Sequence, residues 1–179
     1  MIKHKAALAA LGCTTLLLGG MNGATAAAPV ESATGHGTLL AQNEDGDTVK
    51  RQFSFTARKD ADGNVTGQAQ LVNRAFSGAE GPAPYRLHID ISCMYTAGNI
   101  AVFGGTVKST NDPGLDDAVF FSVQDNGEPG TEDRISRTFF WDDDPGTTGD
   151  PQACMLTGVT DFPLEPIESG NIQVRPGGM

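Results

Sequence analysis

The stretch that decides the fold runs from residue 86 to residue 107 and reads RLHIDISCMYTAGNIAVFGGTV. Its first half alternates strictly between apolar and polar side chains, a period of two that is typical of a β-strand with one buried face. The apolar set is Leu87, Ile89, Ile91 and Cys93, and the polar set is Arg86, His88, Asp90 and Ser92. Gly98 and Asn99 then separate two apolar runs, and both residue types tolerate positive φ, so the pattern predicts a β-hairpin.

Outward from this hairpin, the chain repeats short apolar or alternating runs between turns rich in Gly, Asn, Asp and Pro, without a helical period. Further strands are predicted at 37–42, 49–58, 65–73, 118–124 and 134–141, with weaker ones at 154–159 and 171–175. Eight or nine such strands predict an all-β protein, an antiparallel meander that is barrel-like because closure removes exposed edges. A β-sandwich is the alternative architecture. The Gly104–Gly105 pair predicts a bulge or a close backbone approach.

The first 28 residues have the pattern of a secretory signal peptide. Two lysines and a histidine precede an apolar run over 6–18, and alanine-rich cleavage sites follow at 24–28. The run is shorter than the roughly 20 residues that a transmembrane helix needs. A lipoprotein signal with Cys13 as the lipidated residue is the less favoured alternative. We therefore predict a signal peptide at 1–28, a flexible arm at 29–36 and one domain at 37–175, in a secreted or periplasmic protein.

Removal of the signal peptide leaves two of the three cysteines, Cys93 and Cys154. An even count in an exported chain predicts a disulfide, and only one pairing is then possible. The bond would close a loop of about 60 residues, which the chain-entropy account values at roughly 4 kcal/mol. Two buried free thiols are the alternative, and an oxidising compartment disfavours them.

The charge of the chain restricts the classes of partner. The net charge is −10, and residues 1–28 carry two lysines and no acid, so the mature chain carries −10 − 2 = −12. This excess of negative charge argues against nucleic acid and anionic membranes as partners. An extracellular protein or a glycan is the predicted partner class, no membrane span is expected, and the oligomeric state is left open.

The polar face of the first hairpin strand holds the one candidate catalytic pair, His88 and Asp90. Residues two apart on a strand share a face, and an imidazole oriented by a carboxylate is a common base or metal ligand. A solvated polar exterior is the favoured interpretation, because no motif supplies a nucleophile and an oxyanion site. The only other histidine of the mature chain is His36, which leaves too few ligands for zinc.

Two acidic turns are candidate calcium sites. The ligand candidates of the first are Asp125, Asn126, Glu128 and Asp133, and those of the second are Asp142 and Asp144. Calcium takes six to eight oxygen ligands, so these clusters fit it in kind, as does the weaker pair Asp60 and Asp62. Asp and Asn also favour turns for their own sake, and a meander places the two larger clusters at opposite ends. No other cofactor is predicted.

Five aromatic residues lie on two strands that are neighbours in sequence: Phe120, Phe121, Phe139, Phe140 and Trp141. Core packing is the favoured interpretation, and an exposed binding platform is the alternative. Adjacent phenylalanines on a strand point to opposite faces. One ring of each pair must therefore be covered by a loop, a second sheet or a partner.

Several phrases of the chain resemble a family of exported bacterial proteins of unknown function. They are FSFTAR at 53–58, GQAQLVNR at 67–74, HIDISC at 88–93, GNIA at 98–101, FSVQDNGE at 121–128, DRIS at 133–136 and FPLEPIESGNIQV at 162–174. The resemblance covers most of the mature chain. It implies export and carries no activity, ligand or catalytic residue.

Taken together, these features favour a non-catalytic extracellular binding or surface-associated module, the role that exported all-β domains commonly have. A secreted hydrolase or lyase that uses the face of His88 and Asp90 is one alternative. A disulfide-stapled inhibitor or structural protein that presents the Gly- and Pro-rich loop 77–84 is the other.

Overall fold

The computed structural model describes residues 30–42, 48–73, 85–111, 118–128, 132–141 and 149–177. Ten strands of these ranges form one antiparallel sheet that curls into a half-barrel. The strands are β1 (Glu31–Gln42), β2 (Thr48–Lys59), β3 (Val65–Asn73), β4 (Tyr85–Ala97), β5 (Ile100–Thr110), β6 (Ala118–Gln124), β7 (Arg134–Ser136), β8 (Phe139–Trp141), β9 (Leu164–Pro166) and β10 (Ser169–Arg175). The predicted all-β, barrel-like meander is thus confirmed.

The order of strands in the sheet is β10-β1-β2-β3-β4-β5-β6-β7-β9, and β8 also pairs with β6. Strands β1 to β7 follow one another as a meander, as the hairpin-rich sequence predicts. The last strand departs from that order because β10 returns to pair with β1. The two outer strands of the sheet, β9 and β10, are therefore joined by only two residues, 167 and 168.

The first strand is longer than predicted, and the flexible arm expected at 29–36 is incorrect from residue 31 onward. Residues 32–38 of β1 pair with β10 on one side, and residues 31–42 pair with β2 on the other. Ala33 and Gly35 of this segment are buried on the concave side. A Cβ on Gly35 would lie 2.5 Å from the ring of Phe55, so the small residues that suggest a loose arm instead accommodate core rings.

The single strand predicted at 134–141 is divided into β7 and β8. The pairing register with β6 shifts by one residue between Val123↔Ile135 and Phe120↔Phe139, which identifies a bulge. The hydroxyl of Ser136 occupies the break, accepting a hydrogen bond from the amide of Ser122 at 2.9 Å. It donates in turn to the carbonyl of Arg137 at 2.7 Å.

The weak strand predicted at 154–159 is wrong, since the chain there forms a 3-10 helix over Pro151–Met155. Asp150 caps this helix by accepting a hydrogen bond from the amide of Gln152 at 2.9 Å. The proline at the first helical position also favours a helix start, because an N–H at that position would have no partner within the helix.

The concave side of the sheet holds the main core. It contains aromatic and aliphatic side chains from strands around the whole half-barrel: Phe53, Phe55, Leu87, Ile89, Phe103, Phe121, Val123, Ile135, Ile172 and Val174. The rings of Phe103 and Phe121 lie 4.7 Å apart at its centre. A core that draws on every long strand explains why one strongly curved sheet suffices without a second layer.

A second, smaller core lies on the convex side of β4, β5 and β6. The segment 149–163 packs there and contributes Cys154 and Phe162, which cover Val102 and Phe120. The predicted disulfide between Cys93 and Cys154 is confirmed, with a Cα–Cα distance of 6.1 Å. It attaches the loop-rich last third of the chain to the β4–β5 hairpin.

The predictions made for the turn and the glycines of that hairpin are confirmed in part. Gly98 adopts φ +61° at the turn, whereas Asn99 does not have positive φ, as in a turn of type II′. The pairing of β4 with β5 has two register shifts. The one between Ile91 and Cys93 lies opposite the Gly104–Gly105 pair, and the one between His88 and Ile89 lies opposite Ser109 and Val107. A Cβ on Gly104 would overlap the carbonyl oxygen of Pro151, so the close backbone approach is that of the covering segment.

Candidate functional site

The convex surface of β10, β1, β2, β3 and β4 presents the side chains that alternate with the core. On these strands the residues between the buried positions are exposed or half-buried. The two long faces of one sheet therefore differ, because one holds the core and the other is polar. We call this surface the polar face.

Cross-strand pairing arranges the polar face in two rows. The first row runs Asn171, His36, Ser54, Gln70, His88, Ser109. The second row runs Gln173, Thr34, Thr56, Gln68, Asp90, Thr106. Directly opposite residues on neighbouring strands have Cβ atoms about 5 Å apart, so the first row is a continuous line of amide, hydroxyl and imidazole groups. The second row consists of amide and hydroxyl groups and the carboxylate of Asp90.

Three shallow depressions lie along these rows. One, of about 290 Å³, is bordered by His36, Asn171 and Gln173. The next, of about 270 Å³, is bordered by Ser54, Gln70 and His88. The third, of about 500 Å³, is bordered by Gln70, His88 and Ser109 together with Arg86. The second and third depressions share Gln70 and His88 of the first row, whereas the first depression adjoins the second only at Phe55.

His88 and Asp90 both lie on this face, as the alternation predicts, but their polar atoms have different surroundings. The carboxylate of Asp90 accepts a hydrogen bond from Nζ of Lys108 at 3.2 Å. Nε2 of His88 is buried and has no hydrogen-bond partner among the described residues. The described contacts therefore do not join the two side chains into an oriented imidazole–carboxylate pair.

Sequence reasoning did not identify His36 as a neighbour of this site. The structure places it in the same row as His88, separated from it by Ser54 and Gln70. Three strand spacings of about 4.8 Å put the two imidazoles on the order of 14 Å apart, too far for one metal ion to join them. The signal in the sequence was that His36 stands between Gly35 and Gly37. This is the period of two of a β-strand, with glycines at the inward positions.

The acids of the first candidate calcium cluster accept hydrogen bonds from backbone amides and from the last strand. Oδ1 of Asp133 accepts a hydrogen bond from the amide of Asn126 at 2.8 Å, and Oδ2 accepts one from that of Ile172 at 2.7 Å. Oδ2 of Asp125 accepts one from the amide of Val174 at 2.9 Å. Oε1 of Glu128 accepts one from Nδ2 of Asn171 at 3.1 Å. These acids therefore connect the 125–133 turn to β10.

The other acidic candidates stand apart from this cluster. Asp142 and Asp144 lie outside the described residues. Asp60 accepts hydrogen bonds from the backbone and side chain of Asn64, and the side-chain bond leads in holding the pKa of its carboxyl below the usual range. Within the described part of the chain, no group of three or more His, Cys, Asp or Glu side chains is placed to hold a metal ion.

The aromatic residues are divided between the two cores, as their alternation requires. Phe121 and Phe140 pack in the main core, while Phe120 lies on the opposite face. The ring of Phe162 covers this second face, 6.4 Å from Phe120 and 5.1 Å from Phe139. The cover is therefore a loop of the same chain. The side chain of Trp141 lies outside the described ones.

Comparisons with known proteins give no match for this chain. No protein-family model, no curated protein and no solved structure matches it. In the part that the structure describes, no helix is long and apolar enough to cross a membrane. The geometry of the polar face is therefore the evidence on which a function can be argued.

Proposed function

We propose that this chain is an exported, non-catalytic binding module that holds an extended, uncharged glycan across the polar face. The observation that carries the proposal is the pair of cross-strand rows. Asp90 is the one charged residue in the two rows, and Lys108 pairs with its carboxylate at 3.2 Å. Two rows without an unpaired charge, on a chain of net charge −10, favour an uncharged ligand over a strongly charged one.

The side chains of the rows match the hydroxyl groups of a glycan. Amide, hydroxyl and neutral imidazole groups each both donate and accept hydrogen bonds, as sugar hydroxyls do. From β10 to β5 the two rows cross five strand spacings of about 4.8 Å, or on the order of 24 Å. A ligand that uses this length is extended, and it gains affinity from many modest contacts.

Three further features support export and a binding role. The N-terminal 28 residues have the signal-peptide pattern described above. A disulfide that staples a small β domain is typical of proteins in oxidising compartments. The carboxylate of Asp90, which a hydrolase would need to orient His88, is bonded to Lys108 instead.

The proposal is tested by affinity electrophoresis and calorimetry of the purified protein with soluble neutral glucans, mannans and galactans. We expect one class to bind, and expect Gln70→Ala to weaken binding about 3- to 10-fold, the value of one hydrogen bond of about 0.5–1.5 kcal/mol. Thr160→Ala is the matched control, because Thr160 is exposed on the covering segment away from the rows. Retention of full affinity by Gln70→Ala and by His36→Ala would remove the polar face as the site.

The enzyme alternative gives a different result in the same samples. A hydrolase or lyase releases new reducing or unsaturated ends from the bound glycan, and loses that activity in His88→Ala. We expect no new ends with either protein. Their release by the unmodified protein, and not by His88→Ala, would replace the binding proposal with catalysis at this face.

A further inference from the structure

Arg51 is a cation on the concave side of the sheet. It alternates in β2 with exposed residues and shares the face of Phe53 and Phe55, which are 5% and 6% exposed. Its Nε atom is buried and has no hydrogen-bond partner among the described residues. A buried donor without a partner is costly, so this guanidinium is suited to an acceptor that enters from outside.

The corner of chain between β9 and β10 lies beside Arg51. The amide of Glu168 donates a hydrogen bond to the carbonyl of Thr38 at 2.7 Å. The carboxylate of Glu168 lies 3.6 Å from Nζ of Lys50. Since Leu39 pairs with Arg51, these two contacts seat the corner on the residues that flank that pair. We call the place where the two outer strands of the sheet approach each other the seam.

A second arginine and one carboxylate complete the cluster at the seam. Nε of Arg137 donates to Oε1 of Glu165 at 2.8 Å, and Glu165 lies opposite the buried Ile135 across the β7–β9 pair. Burial lowers the pKa of Arg51, and the charge of Arg137 lowers it further, whereas Glu165 raises it. Arg137 and Glu165 thus act electrostatically on Arg51, the carboxylate of Glu165 is paired with Arg137, and the three groups carry one positive charge in excess.

We propose that Arg51 and Arg137 bind a small monocarboxylate at the concave side of the seam. A guanidinium presents a planar set of N–H donors that matches the two oxygens of a carboxylate. One excess charge matches a monoanion better than a dianionic phosphate, because Glu165 would repel the second charge. The side chain of Arg137 is 55% exposed, which gives the ligand a way in from solvent. This inference is independent of the glycan proposal, since it concerns the other side of the sheet.

The test is a titration of the purified protein with sodium acetate against sodium chloride at equal ionic strength. The Nε–Hε signals of the arginine side chains are followed by two-dimensional NMR. We expect the Arg51 signal to shift saturably with acetate and not with chloride, with dissociation in the millimolar range. Absence of a saturable shift at Arg51 overturns the proposal.

Arg51→Gln, Arg51→Met and the control Arg58→Gln extend the test, because Arg58 is exposed on the polar face of the same strand. We expect acetate to raise the melting temperature of the unmodified protein and of Arg58→Gln, and binding to weaken at least tenfold in Arg51→Gln. Arg51→Met should be at least as stable as the unmodified protein without acetate, since it removes an unpaired buried cation. A marked loss of stability in Arg51→Met without acetate would show that a carboxylate of the chain already occupies Arg51, and would overturn the free-ligand proposal.

Discussion

At the scale of single residues, glycine at position 104 joins the hairpin to the segment that covers it. A Cβ there would overlap the carbonyl oxygen of Pro151 and would lie 3.1 Å from Cβ of Cys154. Both neighbours are held, one as the first residue of the 3-10 helix and the other by the disulfide. The sequence predicted a close approach at this glycine, and the fold identifies the partner that approaches.

Gly104→Ala should therefore destabilise the protein, because neither neighbour can move without displacing the covering segment. We expect a loss of about 1–3 kcal/mol in the free energy of unfolding, the usual cost of overpacking. Urea unfolding of the oxidised protein measures it. A loss below about 0.5 kcal/mol would mean that the segment relaxes freely around the new methyl group.

At the scale of elements, the disulfide connects β4 to the segment 149–163, which packs in the second core and not in the main core. The 3-10 helix packs on the convex side of β4, β5 and β6, and Phe162 covers Phe120 and Phe139 on the same side. Gln152 adds a hydrogen bond from its Nε2 to the carbonyl of Ser92 at 3.0 Å. The cross-link therefore keeps a polar, loop-rich segment on an apolar patch.

Removing the cross-link with the double substitution Cys93→Ala and Cys154→Ala should cost about 2–4 kcal/mol of unfolding free energy. Thermal and urea unfolding of the double variant, and of the unmodified protein with and without reductant, measure this cost. We also expect stronger binding of a hydrophobic dye, because the segment that covers Phe120 is released more often. Equal stability of the oxidised protein and the double variant would contradict this account.

At the scale of the whole molecule, aspartate side chains bind backbone amides of β10 on the edge that does not pair with β1. The amides of Ile172 and Val174 point away from β1 and are bound by the carboxylates of Asp133 and Asp125. Asp133 is fully buried, and its backbone carbonyl also accepts from the amide of Ile167 at 3.0 Å. The half-barrel is thus held together along the seam by carboxylates that act as strand acceptors.

Asp133→Asn tests this closure, because an amide has only one acceptor oxygen for the two backbone N–H groups that Asp133 binds. We expect a loss of about 2–3 kcal/mol, since one buried donor is left unpaired. In native-state hydrogen exchange, Asp133→Asn should speed the exchange of the Ile172 amide relative to the unmodified protein, and by more than it speeds exchange of the amides of β2 and β3. Glu132→Gln, at an exposed neighbouring position, is the control.

Uniform exchange in all strands of Asp133→Asn would contradict a local opening of the seam. The calcium interpretation of the same acids makes the opposite claim about metal removal. It requires a lower melting temperature in EDTA, whereas acids that bind backbone amides leave the melting temperature unchanged.

The sequence by itself determined the class of fold and the cross-link. Period-two alternation, turn residues and the Gly98–Asn99 pair are local signals, because each depends on a few neighbouring side chains and their backbone preferences. The bounds predicted for β3 and β6 agree with those observed, and the pairing predicted between Cys93 and Cys154 is the one that is bonded.

Only the tertiary structure decided what shares a surface. It placed His36 in the row of His88, used Asp125 and Asp133 to close the seam, and paired Arg137 with Glu165. It also interrupted the strand predicted at 134–141 and turned 151–155 into a 3-10 helix. The physical reason is that these outcomes depend on strand register, sheet curvature and contacts between distant segments. The local periodicity of the sequence determines none of the three.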